Sequence, residues 1–362
     1  MTTVALRIAV LSPVSRRTPP RDHGRAQRIV STLTERLVAL GHEVTLFATA
    51  DSSTSARLEA VCPLGMGESP SRLARATECL AVAAAFKRAV EFDVIHDHSG
   101  PYSIGYVDSV KTPVVVTHHV PLSGAHAAAF SRRRRRLLNV AVSEAARQSG
   151  VAYTSTVYPG VDLSTLPFAD RVGDFVLFLG RIREDRGVLD AIEIARRADQ
   201  RLLLAGQIDD RDFYNRHVMP RIDWRKTLYV GVVEGEVRKV LLSGAAALLH
   251  PVRPERPFAL APVEAMACGT PVVAYKRGCL SELVKHERTG FLVSDVDGAV
   301  DALRRVPGLR RRDCRAWVEE RFSADRMVSD YLRIYEQATR RTASGAARAD
   351  DAHRLNMEAA CG

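Results

Sequence analysis

The feature that most limits the fold is an alternation of short apolar runs with amphipathic stretches. Leu6 to Leu11 has strand length and is apolar except for Arg7. A Pro/Arg-rich loop from Ser12 to Gly24 follows. Between Arg25 and Leu40, the residues Ile29, Leu33, Leu37 and Leu40 recur at helical spacing and form one apolar stripe. Gly41 stops that helix, and His42 to Ala48 reads as the next strand. Strand, helix and strand within about 45 residues require a crossover, so the two strands run parallel. Leu73–Phe92 continues the pattern as a helix, and Val94–His96 and Pro113–Thr117 continue it as strands. Val140–Ser143 and Thr154–Tyr158 close this half.

A second series begins at Phe175–Leu179. Helix Val188–Arg197, strand Leu202–Ala205, a loop and helix through Asp209–Arg221, strand Leu228–Val230 and helix Glu236–Leu242 follow. Ala245–Leu249 then forms a strand-length apolar run ending in His250-Pro251. Pro251, Pro254 and Pro257 make the next stretch a loop, because proline fixes φ and disfavours helix in the residue before it. Pro262 suits a first helical turn, Gly269 stops the helix, and Pro271–Tyr275 is a buried strand. The start of that helix, near Ala259 and Leu260, has unpaired N–H groups that suit an anion. Glu264, about one turn further on, can accept hydrogen bonds from hydroxyls. The segments Ser281–Lys285 and Phe291–Val293 complete the series.

At 362 residues the chain exceeds one ordinary core. The pattern divides it into an N-terminal domain over 1–165 and a C-terminal domain over 170–318. The turn Tyr158–Asp162 leads into a linker that runs to Asp174. Cys314–Glu336 carries Val318, Phe322, Met327, Tyr331 and Tyr335 at roughly helical spacings, so a terminal helix over 319–341 is expected to cross back to the first domain. The small, polar tail over 342–362 is expected to fray.

Six cysteines without a C-x-x-C pair argue against zinc or a disulfide framework and for a reducing cytoplasm. No apolar run approaches the ~20 residues of a membrane span. The net charge of +10 is partly concentrated at Arg132–Arg136 and Arg310–Arg312. No aromatic-interleaved basic motif or helix-turn-helix pattern accompanies it, which argues against nucleic acid. Arg132–Arg136 reads either as a solvated face or as a weak contact with an anionic membrane surface.

No G-x-G-x-x-G follows the first strand, no P-loop is present, and no G-x-S-x-G elbow appears. Dinucleotide, P-loop and α/β-hydrolase chemistry are therefore disfavoured. Gly180-Arg181 closes one strand, and Arg186-Gly187 precedes a helix. Two guanidinium groups thus lie where an open α/β sheet binds ligands, and their forks suit phosphate oxygens. With the helix start at Ala259–Leu260 and with Glu264, this favours a diphosphate and a ribose.

Over roughly Leu6 to Gln337, these residues resemble a GT-B glycosyltransferase of the retaining family 4 type. In the first half the resemblance rests on Pro19-Pro20 with Gly24, the strand leading to His98, Thr117-His118-His119 and Val142-Ser143-Glu144. In the second it rests on Gly180-Arg181-Ile182, Arg186-Gly187 and, most specifically, Glu264–Val273. It implies two facing Rossmann-like domains, with the acceptor mostly on the first and the sugar nucleotide mostly on the second. It also implies transfer of a hexose-type sugar with retained anomeric configuration, no cofactor and no obligatory metal. The donor would be a UDP-, GDP- or ADP-sugar, and the acceptor a small molecule, a saccharide or a lipid-linked species.

By the same resemblance, His119, Glu255 and Arg256 are the candidate catalytic residues. Arg181, Arg186, Ala259, Leu260 and Glu264 would bind the donor, with Glu264 on the ribose. Gly24, Arg25 and His98 would lie on the acceptor side. His96 reads as a structural or wall residue, and Asp209–Asp212 as a solvated loop. Four positions depart from the family's pattern, the mildest being Arg186, which replaces a lysine and keeps the charge. Arg256 stands where a glutamate is usual, with Glu255 just before it. Ala259 replaces a glycine, and Gly24-Arg25 replaces paired glycines. Arg256 could select an anionic donor sugar, or Glu255 could replace the missing carboxylate. A weakened homologue that binds nucleotide sugar as a partner subunit is the alternative reading. A phosphorylase or epimerase on the same fold is a further one.

Overall fold

In the computed structural model, the described residues are 5–21, 24–67, 71–133 and 136–340. The remainder of the arginine run, Arg134-Arg135, and the tail expected to fray lie outside them. The chain forms two compact units. The first takes in the chain up to Val142, Arg147–Val157 and the chain from Met327 on; the second takes in Ser143–Ala146 and Tyr158–Arg326. The units change over at Val157/Tyr158, ahead of the linker read from the sequence between Asp162 and Asp174.

The first unit is built on seven parallel strands: β1 Arg7–Leu11, β2 Glu43–Thr49, β3 Arg57–Cys62, β4 Val94–Asp97, β5 Val114–His118, β6 Leu137–Ala141 and β7 Tyr153–Thr156. Their order is β3-β2-β1-β4-β5-β6-β7. Helix Arg25–Ala39 buries Ile29, Val30, Leu33 and Leu37 as the stripe requires. Leu40 lies past the helix end and is 59% exposed. One core face joins Ala9, Leu11, Phe47, Ile95 and Val116 to Val82, Ala85 and Phe86 of helix Arg72–Lys87.

The second unit carries β8 Phe175–Leu179, β9 Arg201–Ala205, β10 Thr227–Gly231, β11 Ala247–His250, β12 Val272–Tyr275 and β13 Gly290–Val293. All pair in parallel, in the order β10-β9-β8-β11-β12-β13. Val176, Phe178, Leu202, Leu204 and Leu249 pack against Val188, Ala191, Ile192 and Ala195 of helix Val188–Arg197. Ser281–Lys285 falls at a short helix, Leu280–Leu283. In each unit the strand order reverses beside the first strand, between β1 and β4 and between β8 and β11. The crevice beyond the carboxyl ends of such a pair is where open α/β sheets bind ligands.

Buried cations organise the end of the second unit. In helix Arg311–Arg321, the Arg311 guanidinium donates to the carbonyls of Ala169, Ser243 and Ala245 and to Thr270 Oγ1. Arg315 donates to the carbonyls of Leu163, Leu166 and Ala267. Ser243 and Ala267 lie in the last turns of helices Gly235–Gly244 and Leu260–Ala267, where unpaired carbonyls favour a cation. Within the Arg310–Arg312 run, only the outer two are surface ion pairs, to Asp313 and Asp170. Ser143 Oγ donates to the Pro257 carbonyl at 2.6 Å, and Glu282 accepts from the Glu144 and Ala145 amides and the Tyr158 hydroxyl. The Val142-Ser143-Glu144 motif thus straddles the units. A final helix over 324–340 contributes buried Met327, Tyr331, Ile334 and Tyr335, all from the part that belongs to the first unit.

Candidate functional site

In the second unit the chain leaves β8 through Gly180 and Arg181. It makes one 3-10 turn, Glu184–Arg186, and enters the helix through Gly187 at φ 71°. A Cβ on Gly187 would stand 2.0 Å from the carbonyl oxygen of Pro251, just past β11. A side chain there would force apart the two segments that frame the crevice.

The charges on those segments are dense. Asp185 Oδ2 accepts from Arg256 Nη2 at 2.5 Å, and its Oδ1 forms ion pairs with Arg183 Nε at 2.6 Å and Arg186 Nε at 3.7 Å. Arg186 Nε and Arg256 Nε are shielded from solvent and make no hydrogen bond. Burial, with Arg256 close by, pulls the Arg186 guanidinium down to about 10, so it stays charged at neutral pH. His250 ends β11 among the same groups, and its shielded Nε2 also has no partner. Burial, then Arg186 and Arg256, lower its pKa to about 4 and keep the ring neutral.

Arg181 reaches the other way, pairing with Asp209 Oδ2 at 3.0 Å. Asp209 is therefore an ion-pair partner in this region, and Asp210 caps the next turn by accepting from the Phe213 amide. Both residues are exposed, as the solvated-loop expectation has them, with these two partners added. Ala259 is the N-cap of helix Leu260–Ala267, with no side-chain cap. Glu264 is buried on that helix and forms an ion pair with Arg238. Glu255 is exposed. Arg253 grips Asp190 through two nitrogens, and Tyr275 donates to the same carboxylate at 2.7 Å, anchoring the proline-rich loop to helix Val188–Arg197.

The first unit's crevice is lined differently. Gly24, at φ 149°, starts helix Arg25–Ala39, and a Cβ there would meet the Pro20 ring at 2.8 Å. Arg25 Nη2 donates to the His119 carbonyl at 2.9 Å. His98 Nδ1 and His119 Nε2 are 2.8 Å apart. Behind them, His96 bonds the Tyr335 hydroxyl at 2.7 Å and Thr117 Oγ1 at 2.8 Å, and Thr117 meets the Tyr331 hydroxyl at 2.9 Å. Burial keeps His96, His98, His118 and His119 neutral by lowering each pKa, for His98 to about 3. Among the described residues, no three His, Cys, Asp or Glu side chains are placed to hold a metal ion, and no helix is long and apolar enough to cross a membrane.

The structure thus groups Arg186, Arg256, Asp185 and His250 at one crevice, with Arg181 turned to Asp209. It groups His98, His119 and Arg25 at the other. Sequence reasoning missed Asp185, His250 and the two tyrosines. His250 carried a signal as a polar residue ending an apolar strand beside a proline, and Tyr331 and Tyr335 carried one only as part of a helical stripe.

Comparison with known proteins gives concordant results. Residues 26–165 match the family described as Glycosyltransferase Family 4, and residues 173–307 match Glycosyl transferases group 1. An uncharacterized glycosyltransferase of Methanocaldococcus jannaschii is 30% identical over 175 residues, 45% of either chain. A glycogen synthase of Mycobacterium tuberculosis is 26% identical across 86% of this chain and 89% of its own. Structures of the Anabaena protein HepE cover 92% of this chain and all of theirs. The complex with UDP has a TM-score of 0.71, and that with UDP-glucose 0.67, each at 18% identity.

Proposed function

The chain belongs to the family 4, group 1 glycosyltransferases, and we propose that it moves a hexose-type sugar, with retention, from a nucleoside diphosphate to a small-molecule, saccharide or lipid-linked acceptor. The observation that carries the donor half of this reading is the set of shielded nitrogens on Arg186, Arg256 and His250 beside the β8/β11 crevice that make no hydrogen bond, although both arginines pair with Asp185. A diphosphate oxygen would accept from the two guanidinium nitrogens, and from His250 when Nε2 carries the ring's proton. The nucleotide complexes of HepE support the same donor class.

As the bond to the departing phosphate breaks, negative charge grows on its oxygens. Arg186, held charged in a partly buried site, is suited to stabilise it more strongly than an exposed arginine would. Arg181 contributes on exchanging Asp209 for phosphate, and the amides near Ala259 and Leu260 add a helix N-terminus. These cations supply the neutralisation a metal would otherwise provide, so turnover should survive excess EDTA. Glu264 would take the ribose hydroxyls in exchange for part of its bond to Arg238.

A calorimetric titration with UDP-, GDP- and ADP-glucose tests the donor half; absence of binding by all three would sink it. The anomeric coupling of the product, read by proton NMR, tests retention. The binding-subunit reading rests on one observation, the Arg256–Asp185 pair where the family's pattern has a glutamate. Nucleotide binding without turnover of any donor would favour it. If Arg256 selects the sugar, Arg256→Glu changes the ratio of rates for UDP-glucose and UDP-glucuronate; an unchanged ratio removes that role. Membrane contact through residues 132–136 belongs to the same lipid-acceptor reading, although Arg133 pairs with Asp108 and Arg136 donates to the Val110 carbonyl. Sedimentation with phosphatidylglycerol vesicles tests it.

A further inference from the structure

The three arginines beside β8 and β11 share one carboxylate, Asp185. Its Oδ2 accepts from Arg256 Nη2 at 2.5 Å. Its Oδ1 is ion-paired with Arg183 Nε at 2.6 Å and Arg186 Nε at 3.7 Å, yet it is shielded from solvent and accepts no hydrogen bond. A carboxylate oxygen takes more than one donor, and shielded polar atoms are nearly always satisfied, so Oδ1 has acceptor capacity to spare. The side chain as a whole is 29% exposed, so the group is not sealed in the interior.

The pair is held from both sides. Asp185 lies in the 3-10 turn Glu184–Arg186, which ends at Gly187 against the Pro251 carbonyl. Arg256 lies on the proline-rich loop, which Arg253 anchors to Asp190. The turn after β12 backs that loop. A Cβ on Gly278 would stand 2.9 Å from the Arg256 amide nitrogen, and the Cys279 amide donates to the Arg256 carbonyl at 3.4 Å. Glu255, the neighbouring candidate for a carboxylate, is exposed.

Charge sorts the two halves of a sugar nucleotide among these groups. A diphosphate is drawn to guanidiniums and repelled by a carboxylate. A sugar hydroxyl is neutral and donates an O–H, which a carboxylate accepts more strongly than a neutral oxygen does. The acidic group within the arginine cluster therefore suits the part of the ligand that bears hydroxyls and no charge.

We propose that Asp185 binds a hydroxyl of the transferred sugar, with Arg256 as the positioning residue that holds its carboxylate in place. Asp185, and not Glu255, then supplies the carboxylate, and Arg256 is engaged in holding it and not in selecting an anionic sugar. The inference rests on the glycosyltransferase reading and names the sugar class: a neutral hexose in preference to a uronic acid, whose carboxylate Asp185 would repel.

The test is calorimetry on the full chain. Whichever of UDP, GDP and ADP binds most tightly is compared with its glucose and glucuronate esters. Asp185→Asn keeps the shape of the side chain and removes its charge. It should weaken the glucose ester about tenfold and leave the bare nucleotide as tight as before or tighter. It should also narrow the gap between the glucose and glucuronate esters. Equal changes for nucleotide and glucose ester, or no change in either, would reduce Asp185 to a counter-ion of the arginines and overturn the proposal. Arg256→Gln should cost the glucose ester a similar factor, and Arg256→Lys less. Asp185→Asn with Arg256→Gln should cost no more than either alone, because both act through one contact. Factors that multiply would overturn the positioning role. Failure of all three nucleotides to bind the unaltered chain would remove the donor reading itself, an outcome distinct from tight nucleotide binding that ignores the sugar.

Discussion

The two crevices share a strand arrangement and differ in chemistry. Beside β8 and β11 the groups are guanidiniums around one carboxylate: Arg183, Arg186 and Arg256 about Asp185. Beside β4 and β5 they are neutral imidazoles and hydroxyls: His96, His98, His119, Thr117 and Tyr331. The topology fixes where a ligand sits, and a few residues past the strand ends fix what it can be. Permanent charge suits a permanently charged diphosphate. Neutral rings with fixed protons suit hydroxyls, which demand direction more than charge.

The contrast can be broken hardest at Gly187. Gly187→Ala adds a Cβ 2.0 Å from the Pro251 oxygen at a positive φ. Destabilisation by about 3 kcal/mol is expected from the combined strain and backbone displacement. It should appear as a lower denaturant midpoint for the second unit only, and an unchanged midpoint would show that the segments yield more easily than their packing suggests. Arg186→Gln comes next. It removes a charge-assisted phosphate contact and should weaken UDP binding about tenfold, or roughly 1.4 kcal/mol, by calorimetry. Its effect should lie in the nucleotide, where that of Asp185→Asn lies in the sugar.

The smallest expected effect, and the one that compares the units directly, is with pH. A histidine whose folded pKa lies below its ordinary 6.5 stays bare while the unfolded chain takes up a proton. Stability is therefore lost as pH falls from about 6.5 towards the folded value, about 3 for His98. Among the described residues five such histidines, His42, His96, His98, His118 and His119, lie in the first unit, whereas His250, at about 4, lies in the second. Glu78 acts in the opposite sense. Burial raises its pKa from 4.5 to about 8, so the unfolded chain loses its proton first and stability falls as pH rises between those values. Hydrogen exchange at pH 5 and pH 7 should show the first unit losing more protection in acid than the second; equal loss would remove the contrast.

Much of this was legible in sequence, for identifiable reasons. Ile29, Leu33 and Leu37 announce a helix because their spacing is local, and Arg186 and Glu264 are placed by the strand and helix ends beside them. The pairing of residues remote along the chain leaves no periodic trace. His96 meets Tyr335 across 239 positions, and Thr117 meets Tyr331 across 214. Arg311 reads as one charge in a surface run until four acceptors close around it. Edge strand β3 was missed because Arg57–Cys62 is only partly buried and lacks the solid apolar run of the inner strands. Asp209 is exposed as read, but its pairing with Arg181 left no trace because the two follow different strands.

The tyrosines of the final helix have a consequence for synthesis. Tyr331 and Tyr335 complete the hydrogen bonds around His96, yet they follow the last strand of the sheet they serve, which ends at Thr156, by 175 and 179 positions (331 − 156 and 335 − 156). At ~5–20 residues per second, a ribosome needs on the order of ten to thirty seconds to cover that distance. The first unit to emerge is thus the last to be finished. Until then His96 and Thr117 lack their tyrosine partners, and the nascent chain waits with its sugar-side crevice incomplete while the unit behind it closes.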